Sequence, residues 1–318
     1  MRGFTGLVLG SLVIVASAAT PTSSASSAPA PSSNTTCAQS LYILVARGSG
    51  EAIVPPGAVK YPDYTGLAGV LALNISSQIP GSVIGGVVYP ALEPVVTNLT
   101  TYYESEGNGT SAIADEVAAY TKKCPGVKIA LMGYSQGAQV VQDALCGGLG
   151  TDGFNDDPPM PASLVENNAD TLGSVIAVAL IADPSHIANT TYDHGNSTHN
   201  GVFARTNTTA CDPYVARGLY GSWCQANDIF CDSGNSTTIH TYEPLTYEDQ
   251  IVQFVVDKWN NYTKEASSSP SGTGSPSGTA TGTATTASGT NAAGRLLGQG
   301  SSQSLLVGAS VAMVSWLL

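Results

Sequence analysis

The pentapeptide Gly133-Tyr134-Ser135-Gln136-Gly137 has the form G-x-S-x-G, in which the serine hydroxyl can act as a nucleophile. An apolar run, residues 127–132, precedes it, and a helix-like run, residues 138–145, follows it. A strand, a tight turn and a helix in this order lift the hydroxyl clear of the sheet edge and leave the next backbone N–H free as an oxyanion donor. The sequence therefore predicts a nucleophile elbow at Ser135, against the alternative of a glycine-lined turn with an idle serine.

A serine nucleophile needs a general base, and the chain has four histidines. His240 is the candidate because, in the chain order serine, acid, histidine, the base comes late, just before the last helix. The sequence places His240 in a short loop ahead of a helix over 246–262. The other histidines, His186, His194 and His199, lie in a loop with several glycosylation sequons, and we interpret them as surface polar residues.

The base needs a carboxylate to orient it, and two aspartates are candidates. Asp228 lies between Cys224 and Cys231, and a disulfide bond there would clamp its loop rigidly near His240. Asp183 ends a predicted strand, where it is either the acid or a strand-end cap beside Pro184. The residues favour Asp228 and leave Asp183 as the alternative.

An oxyanion hole needs two donors, one of them from the loop after an early strand. Ser49 follows the first predicted strand, and it can donate from its backbone N–H and its hydroxyl. Gln136 follows the predicted nucleophile and can supply the second backbone N–H. These two residues are the predicted oxyanion hole.

Strands alternate with helices along the chain, which predicts an α/β fold with a parallel sheet covered on both faces. The predicted strands are 41–46, 83–89, 127–134 and 175–181. The predicted helices are 64–78, 111–123, 138–145 and 246–262. Asp115 and Glu116 are placed near the start of the second helix, where the helix dipole favours acidic side chains.

The composition of the chain limits which partners it can bind and which cellular compartment it suits. With a formal net charge of −12 and only 11 lysines and arginines, the chain is a poor match for nucleic acid or an anionic membrane. Its six cysteines are expected to pair as in secreted proteins, and spacing alone indicates only Cys224–Cys231, as a short loop. Their spacing matches no C-x-x-C zinc pattern, so neither a metal site nor a cofactor is expected.

Both ends of the chain resemble targeting segments. Residues 1–19 are predicted to be a signal peptide, and 20–36 a disordered Ser/Pro-rich segment. Residues 266–290 predict an extended stalk. Residues 291–318 combine small residues, a spacer and an apolar tail, which predicts a GPI-anchor signal that is removed, with attachment at Asn291. A single domain, 37–265, is left between these segments.

Dense N-x-[ST] sequons suit a secreted surface glycoprotein. They begin at Asn34, Asn74, Asn98, Asn108, Asn189, Asn196, Asn207, Asn235 and Asn261. We therefore expect a monomer at the cell surface or in the cell wall, held to the membrane only through the GPI anchor.

Three motifs in this order resemble the cutinase and acetylxylan esterase family: Ala46-Arg47-Gly48-Ser49, the pentapeptide around Ser135, and Cys224-x-x-x-Asp228-x-x-Cys231 followed by His240. The resemblance covers about residues 37–259. It implies a compact α/β-hydrolase fold with no lid. By motif, it also implies that Ser135 is the nucleophile, Asp228 the acid and His240 the base, with Ser49 and Gln136 as the oxyanion hole.

The resemblance has further implications. It implies the disulfide bond Cys37–Cys124 and, on its acetylxylan esterase side, Cys146–Cys211, and it points to a fungal source. It implies hydrolysis of carboxylic esters, either cutin-like polyester or short-chain acyl esters, through an acyl-enzyme. The motif at 46–49 is cutinase-like, whereas 146–148 and 182–184 are more like acetylxylan esterases, so deacetylation of plant polysaccharide is an alternative. A non-catalytic cell-wall glycoprotein that retains the fold is a third hypothesis.

Overall fold

The computed structural model describes residues 36–53, 62–95, 99–147, 173–206 and 211–268. The strands are β1 (Leu41–Ala46), β2 (Val83–Gly86), β3 (Lys128–Tyr134), β4 (Val175–Ile181), β5 (Asp193–Gly195) and β6 (Tyr220–Cys224). The helices are α1 (Ala68–Gln78), α2 (Thr100–Lys123), α3 (Gln136–Cys146), the short α4 (Asp212–Val215), α5 (Thr237–Thr246) and α6 (Glu248–Ser268). The strands form one parallel sheet in the order β2-β1-β3-β4-β6-β5.

Side chains that alternate along the central strands form two hydrophobic cores, one on each face of the sheet. Leu44 and Leu131 point to the core that α2 and α3 cover, whereas Ile43 and Met132 point to the core that α1 and α6 cover. β1 and β4 are buried along their whole length, as their unbroken apolar sequences predict. The predicted α/β-hydrolase fold, with a central parallel sheet between helices, is confirmed.

Helix α2 begins eleven residues earlier than the sequence predicts, at Thr100 instead of residue 111. The stretch Gly107-Asn108-Gly109 suggests a helix break, but it lies within the helix. A Cβ atom at Gly109 would come 2.8 Å from Cγ2 of Val140, so glycine lets α2 approach α3 closely. Asp115 and Glu116 therefore lie in the middle of the helix, and their predicted place in its first turn is wrong.

Strand β2 is shorter than predicted because a side chain takes over its last hydrogen bonds. The backbone N–H of Val87 still donates to the Val45 carbonyl at 2.9 Å. The carbonyls of Tyr89 and Pro90, however, accept from Nη2 of Arg47, at 2.8 and 3.3 Å. The segment after β2 is thus tied to the loop that follows β1.

The C-terminal helical region is two helices and not one. Helix α5 covers Thr237–Thr246, which places His240 in a helix instead of the predicted loop. Ser236 caps α5, since its side chain accepts the N–H of Ile239 at 3.1 Å. Pro244 lies in the last turns of α5 and, in the sequence, suggests a break.

Three disulfide bonds join Cys37 to Cys124, Cys146 to Cys211 and Cys224 to Cys231. In the described part of the chain, no helix has the length and apolar character needed to cross a membrane. Helix α6 ends at Ser268, so the first three residues of the predicted stalk are helical. The predicted signal peptide, the remainder of the stalk and the anchor signal with Asn291 lie outside the described residues.

Candidate active site

Ser135 forms a strained turn between β3 and α3. Its backbone has φ 53° and ψ −125°, a conformation with positive φ that residues other than glycine rarely adopt. A Cβ atom at Gly133 would come 2.2 Å from the Gly137 carbonyl oxygen, and one at Gly137 would come 2.2 Å from the Ala46 carbonyl oxygen. Both glycines are therefore required for the tight turn and for the close contact of α3 with β1.

His240 contacts both other members of the predicted triad. Its Nε2 lies 2.9 Å from Oγ of Ser135, and its Nδ1 lies 2.8 Å from Oδ2 of Asp228. Pro244 has no N–H to donate to the His240 carbonyl four residues earlier. The hydroxyl of Tyr134 donates to that carbonyl instead, at 2.9 Å, which fixes the histidine backbone against the end of β3.

Asp228 is completely buried in the loop that the Cys224–Cys231 disulfide bond closes. Its Oδ1 accepts the backbone N–H groups of Phe230 and Cys231, at 2.7 and 2.8 Å. Burial raises the pKa of Asp228, but the hydrogen bonds from His240 and the Cys231 N–H outweigh burial and hold it below its ordinary value. The carboxylate thus stays ionised and can orient the imidazole.

The alternative acid, Asp183, is also completely buried, but it does not contact His240 in the structure. Its Oδ1 accepts the backbone N–H and the hydroxyl of Ser185, at 2.8 and 2.7 Å. Its Oδ2 has no hydrogen-bond partner among the described residues. Burial raises the pKa of Asp183 to about 7, against hydrogen bonds from Ser185 that lower it.

This raised pKa predicts how stability depends on pH. Folded Asp183 keeps a proton up to about pH 7, whereas unfolded aspartate loses it near a pKa of about 3.9. Asp183 therefore destabilises the fold increasingly as the pH rises through this window, by about 1.4 kcal/mol for each unit between the two pKa values as an upper bound. We expect Asp183→Asn to stabilise the protein above pH 7 and to change little at acid pH.

Urea denaturation of wild type and Asp183→Asn at about pH 4 and about pH 8 measures this difference. A stability difference that is the same at both pH values would mean that Asp183 keeps an ordinary pKa in the folded protein.

The remaining histidines are not all surface residues. His186 is buried, with 2% of its surface exposed, and its Nδ1 lies 3.1 Å from Oγ of Ser222, so the surface prediction is wrong for it. The N–H of Gly201 donates to the His186 carbonyl at 2.9 Å, which closes the loop between them. His194 is exposed on β5 and stacks on Trp223 with ring centroids 4.5 Å apart. His199 is exposed and lies against Asp232.

The two predicted oxyanion donors lie beside Ser135. Gln136 begins α3, so the dipole of that helix points its positive end at the serine. Ser49 and Ser135 line the same pocket. The side-chain amide of Gln136 donates through Nε2 to the carbonyls of Leu92 and Tyr102, both at 3.2 Å, which fixes the first turn of α3. Its backbone N–H is a separate group.

The loop that carries Ser49 is held by residues whose roles the sequence does not reveal. The Glu51 carboxylate accepts the N–H groups of Gly48 and Leu67, at 2.6 and 2.8 Å. The guanidinium of Arg47 donates to the Glu51 carbonyl at 3.2 Å as well as to the segment after β2. The motif at 46–49 contains Arg47, but only the fold shows that this side chain hydrogen-bonds to backbone carbonyls and does not line the pocket.

A small apolar pocket opens beside the serine. It encloses about 230 Å³ of space including its mouth. Its lining consists of the two serines together with proline and aromatic side chains: Ser49, Pro94, Tyr102, Ser135, Pro184, Phe203 and Phe230. A pocket of this character fits a short apolar group.

Glu243, three residues after His240, is a buried carboxyl that no sequence motif marks. It lies with Cys224 and Cys231 in a group whose possible ligand atoms are all within 4.8 Å of one another. The two sulfurs form a disulfide bond and are not free thiolates, so this group is not a metal site. Its position in the sequence, on the turn of α5 after His240, is the one signal that could have drawn attention to it.

Sequence comparisons relate this chain to known proteins. The family described as Cutinase matches residues 37–259. Cutinase 11 of Verticillium dahliae is 31% identical over 217 residues, which are 67% of this chain and 68% of that protein. An acetylxylan esterase of Hypocrea jecorina is 31% identical over 212 residues, 66% of each chain. The matches thus span about two thirds of the length of these relatives.

Solved structures give the same result. The catalytic core domain of acetyl xylan esterase from Trichoderma reesei superimposes with a TM-score of 0.55 and 27% sequence identity. The superposition covers 69% of this chain and 98% of that domain. The superposition therefore spans nearly the whole of that catalytic core domain.

Proposed function

The chain belongs to the cutinase family and is a carboxylic ester hydrolase, and from this premise we propose that Ser135, His240 and Asp228 are its catalytic triad. The observation that carries the proposal is the continuous contact from Ser135 Oγ through both ring nitrogens of His240 to Asp228, with distances of 2.9 and 2.8 Å. These distances lie within the range in which a base can take the serine proton.

The reaction is a two-step acyl transfer. Nε2 of His240 takes the proton from Ser135 as Oγ attacks the ester carbonyl, and the tetrahedral oxyanion accepts hydrogen bonds from Ser49 and Gln136. The bond to the alcohol oxygen then breaks, His240 returns its proton to that oxygen, and the acyl-enzyme remains. Water then gives a proton to His240 as its oxygen attacks the acyl carbon. The bond from that carbon to Oγ breaks, His240 returns the proton to Oγ, and the carboxylic acid leaves with Ser135 free.

We propose short-chain acyl esters as the substrates, because the pocket beside Ser135 is small and apolar. Exposed apolar side chains, Leu92, Val95 and Val202, neighbour the pocket residues Pro94 and Phe203 in the chain. Apolar side chains at these positions favour an apolar ester, as in a polyester, over a sugar. Deacetylation of xylan is the second candidate, favoured by the likeness to the Trichoderma reesei catalytic core.

Two kinds of substrate separate these candidates. Initial rates on p-nitrophenyl esters of increasing acyl chain length show how long an acyl group the pocket accepts. Rates on an aliphatic polyester and on acetylated xylan show which alcohol part of the ester the enzyme prefers. We expect the highest kcat/KM for the shortest acyl chains and release of acid from the polyester. Release of acetate from xylan together with no attack on the polyester would favour the second candidate.

The side chain of Ser49 offers a test of the oxyanion hole. If its hydroxyl donates to the oxyanion, Ser49→Ala lowers kcat by about 10²-fold, with KM little changed, because the interaction forms only in the transition state. Ser49→Thr keeps a hydroxyl and is the matched control. An unchanged kcat for Ser49→Ala would leave the hole to the backbone N–H groups alone.

We further propose a secreted monomer that a GPI anchor at Asn291 holds at the surface of a fungal cell or its wall. The sequon asparagines in the described residues support exposure to the secretory pathway, since all are exposed and none is in a strand. They are Asn74, Asn108, Asn189, Asn196, Asn235 and Asn261. Release of the protein from intact cells by a phosphatidylinositol-specific phospholipase tests the anchor.

A further inference from the structure

The buried carboxyl of Glu243 lies behind the proposed triad. Glu243 is fully buried and hydrogen-bonded to the side chain of Asp228. Its two carboxyl oxygens lie 3.9 and 3.8 Å from Sγ of Cys231, against the disulfide bond that closes the Asp228 loop.

Two carboxyl groups in contact and away from water cannot both be ionised at neutral pH. Burial, followed by the charge of Asp228, raises the pKa of Glu243 well above its ordinary value, whereas the pKa of Asp228 is lowered. Among the described residues, Glu243 also raises the pKa of two tyrosine hydroxyls, Tyr134 at the end of β3 and Tyr247 after α5, and both hydroxyls are neutral. The proton therefore belongs on Glu243 and the charge on Asp228.

We propose that Glu243 is a positioning residue whose protonated carboxyl donates a hydrogen bond to Asp228, which extends the Ser135–His240–Asp228 chain by one member. The proposal rests on the proposed function, because Glu243 acts through the acid of that triad. The hydrogen bond takes up part of the negative charge of Asp228. It thereby reduces the negative charge that Asp228 presents to the imidazole of His240.

The test is the kcat/KM–pH profile of the full chain and two variants, with p-nitrophenyl acetate as substrate. Glu243→Gln keeps a donor and adds no charge, so its acid limb is expected to coincide with that of the wild type. Glu243→Met removes the donor with little change in volume and leaves the whole charge of Asp228 facing His240. Its acid limb is expected to move up by roughly one pH unit, the equivalent of one charge-assisted hydrogen bond.

Glu106 provides the matched control, because it is also a fully buried carboxyl whose pKa burial raises, but it bonds to Thr110 in α2, away from the triad. Glu106→Gln and Glu106→Met are expected to leave the acid limb in place. An acid limb that moves down in Glu243→Gln would show that Glu243 is ionised in the wild type and would overturn the proposal. An acid limb that stays fixed in both Glu243 variants would also overturn it, and leave Glu243 a structural residue.

A second measurement keeps the test independent of turnover. The NMR resonance of the His240 Nδ1 proton, which lies in the hydrogen bond to Asp228, can be titrated in each folded variant. Its midpoint is expected to shift in Glu243→Met and not in Glu243→Gln. If the wild type has no esterase activity, the proposed function fails, whereas the NMR titration still decides the protonation of Glu243.

Discussion

Ser135→Ala is expected to lower kcat by about 10⁶-fold, because without the nucleophile only binding and the oxyanion hole remain. The fold should survive, since alanine has the same backbone requirements as serine at φ 53° and loses only the hydrogen bond to His240. Stability is expected to change by less than about 1 kcal/mol. Burst and steady-state release of p-nitrophenol measure the loss, and urea denaturation measures the stability.

The chain contains its own control for this substitution. Ser222 is a second buried serine in contact with a histidine, with Oγ 3.1 Å from Nδ1 of His186, and Asp193 lies 3.9 Å from the same nitrogen. It lies within β6 and not at a nucleophile elbow. Ser222→Ala should therefore keep wild-type turnover. Turnover of Ser135→Ala near that of the wild type would rule out the elbow as the site of the chemistry.

Asp228→Asn is expected to lower kcat by about 10⁴-fold. The backbone N–H groups of Phe230 and Cys231 hold the side-chain oxygen, so the NH2 group takes the place of Oδ2 and donates to Nδ1 of His240. It therefore favours the wrong tautomer of the imidazole and does not stabilise its charged form. The backbone N–H groups of Phe230 and Cys231 still hold the side-chain oxygen in place, so the geometry should be kept.

Asp183→Asn is the matched comparison, because it makes the same change at another completely buried aspartate. We expect it to keep turnover within about an order of magnitude of the wild type, since Asp183 bonds to Ser185 and not to His240. If Asp183→Asn loses more turnover than Asp228→Asn, then Asp183 is the acid and the choice between the two aspartates must be reversed.

Local patterns predict the central strands well, because their sequences follow directly from their place in the sheet. β1 and β4 have the predicted boundaries, since both are buried on both faces and are apolar throughout. The start of α2 could not be predicted, because the local cost of Gly109 in a helix is offset by its contacts with Val140 and Tyr89, which are distant in sequence. Tertiary packing decides such positions.

The candidate site is also only partly predictable from the sequence. The order of motifs predicts which serine, histidine and aspartate could meet, but not the helical setting of His240, which depends on the cap at Ser236 and the Tyr134 hydroxyl. Glu243 carries no motif of its own. Its role depends on complete burial against Asp228, a property of the folded chain that spacing along the sequence does not reveal.

The most direct test of the triad is active-site titration of the full chain with a p-nitrophenyl phosphonate, with the adduct located by peptide mass spectrometry. We expect one equivalent of p-nitrophenol released per folded molecule and the phosphonyl group on Oγ of Ser135. A folded, disulfide-bonded protein that releases no p-nitrophenol, or that carries the adduct on another residue, would contradict this expectation.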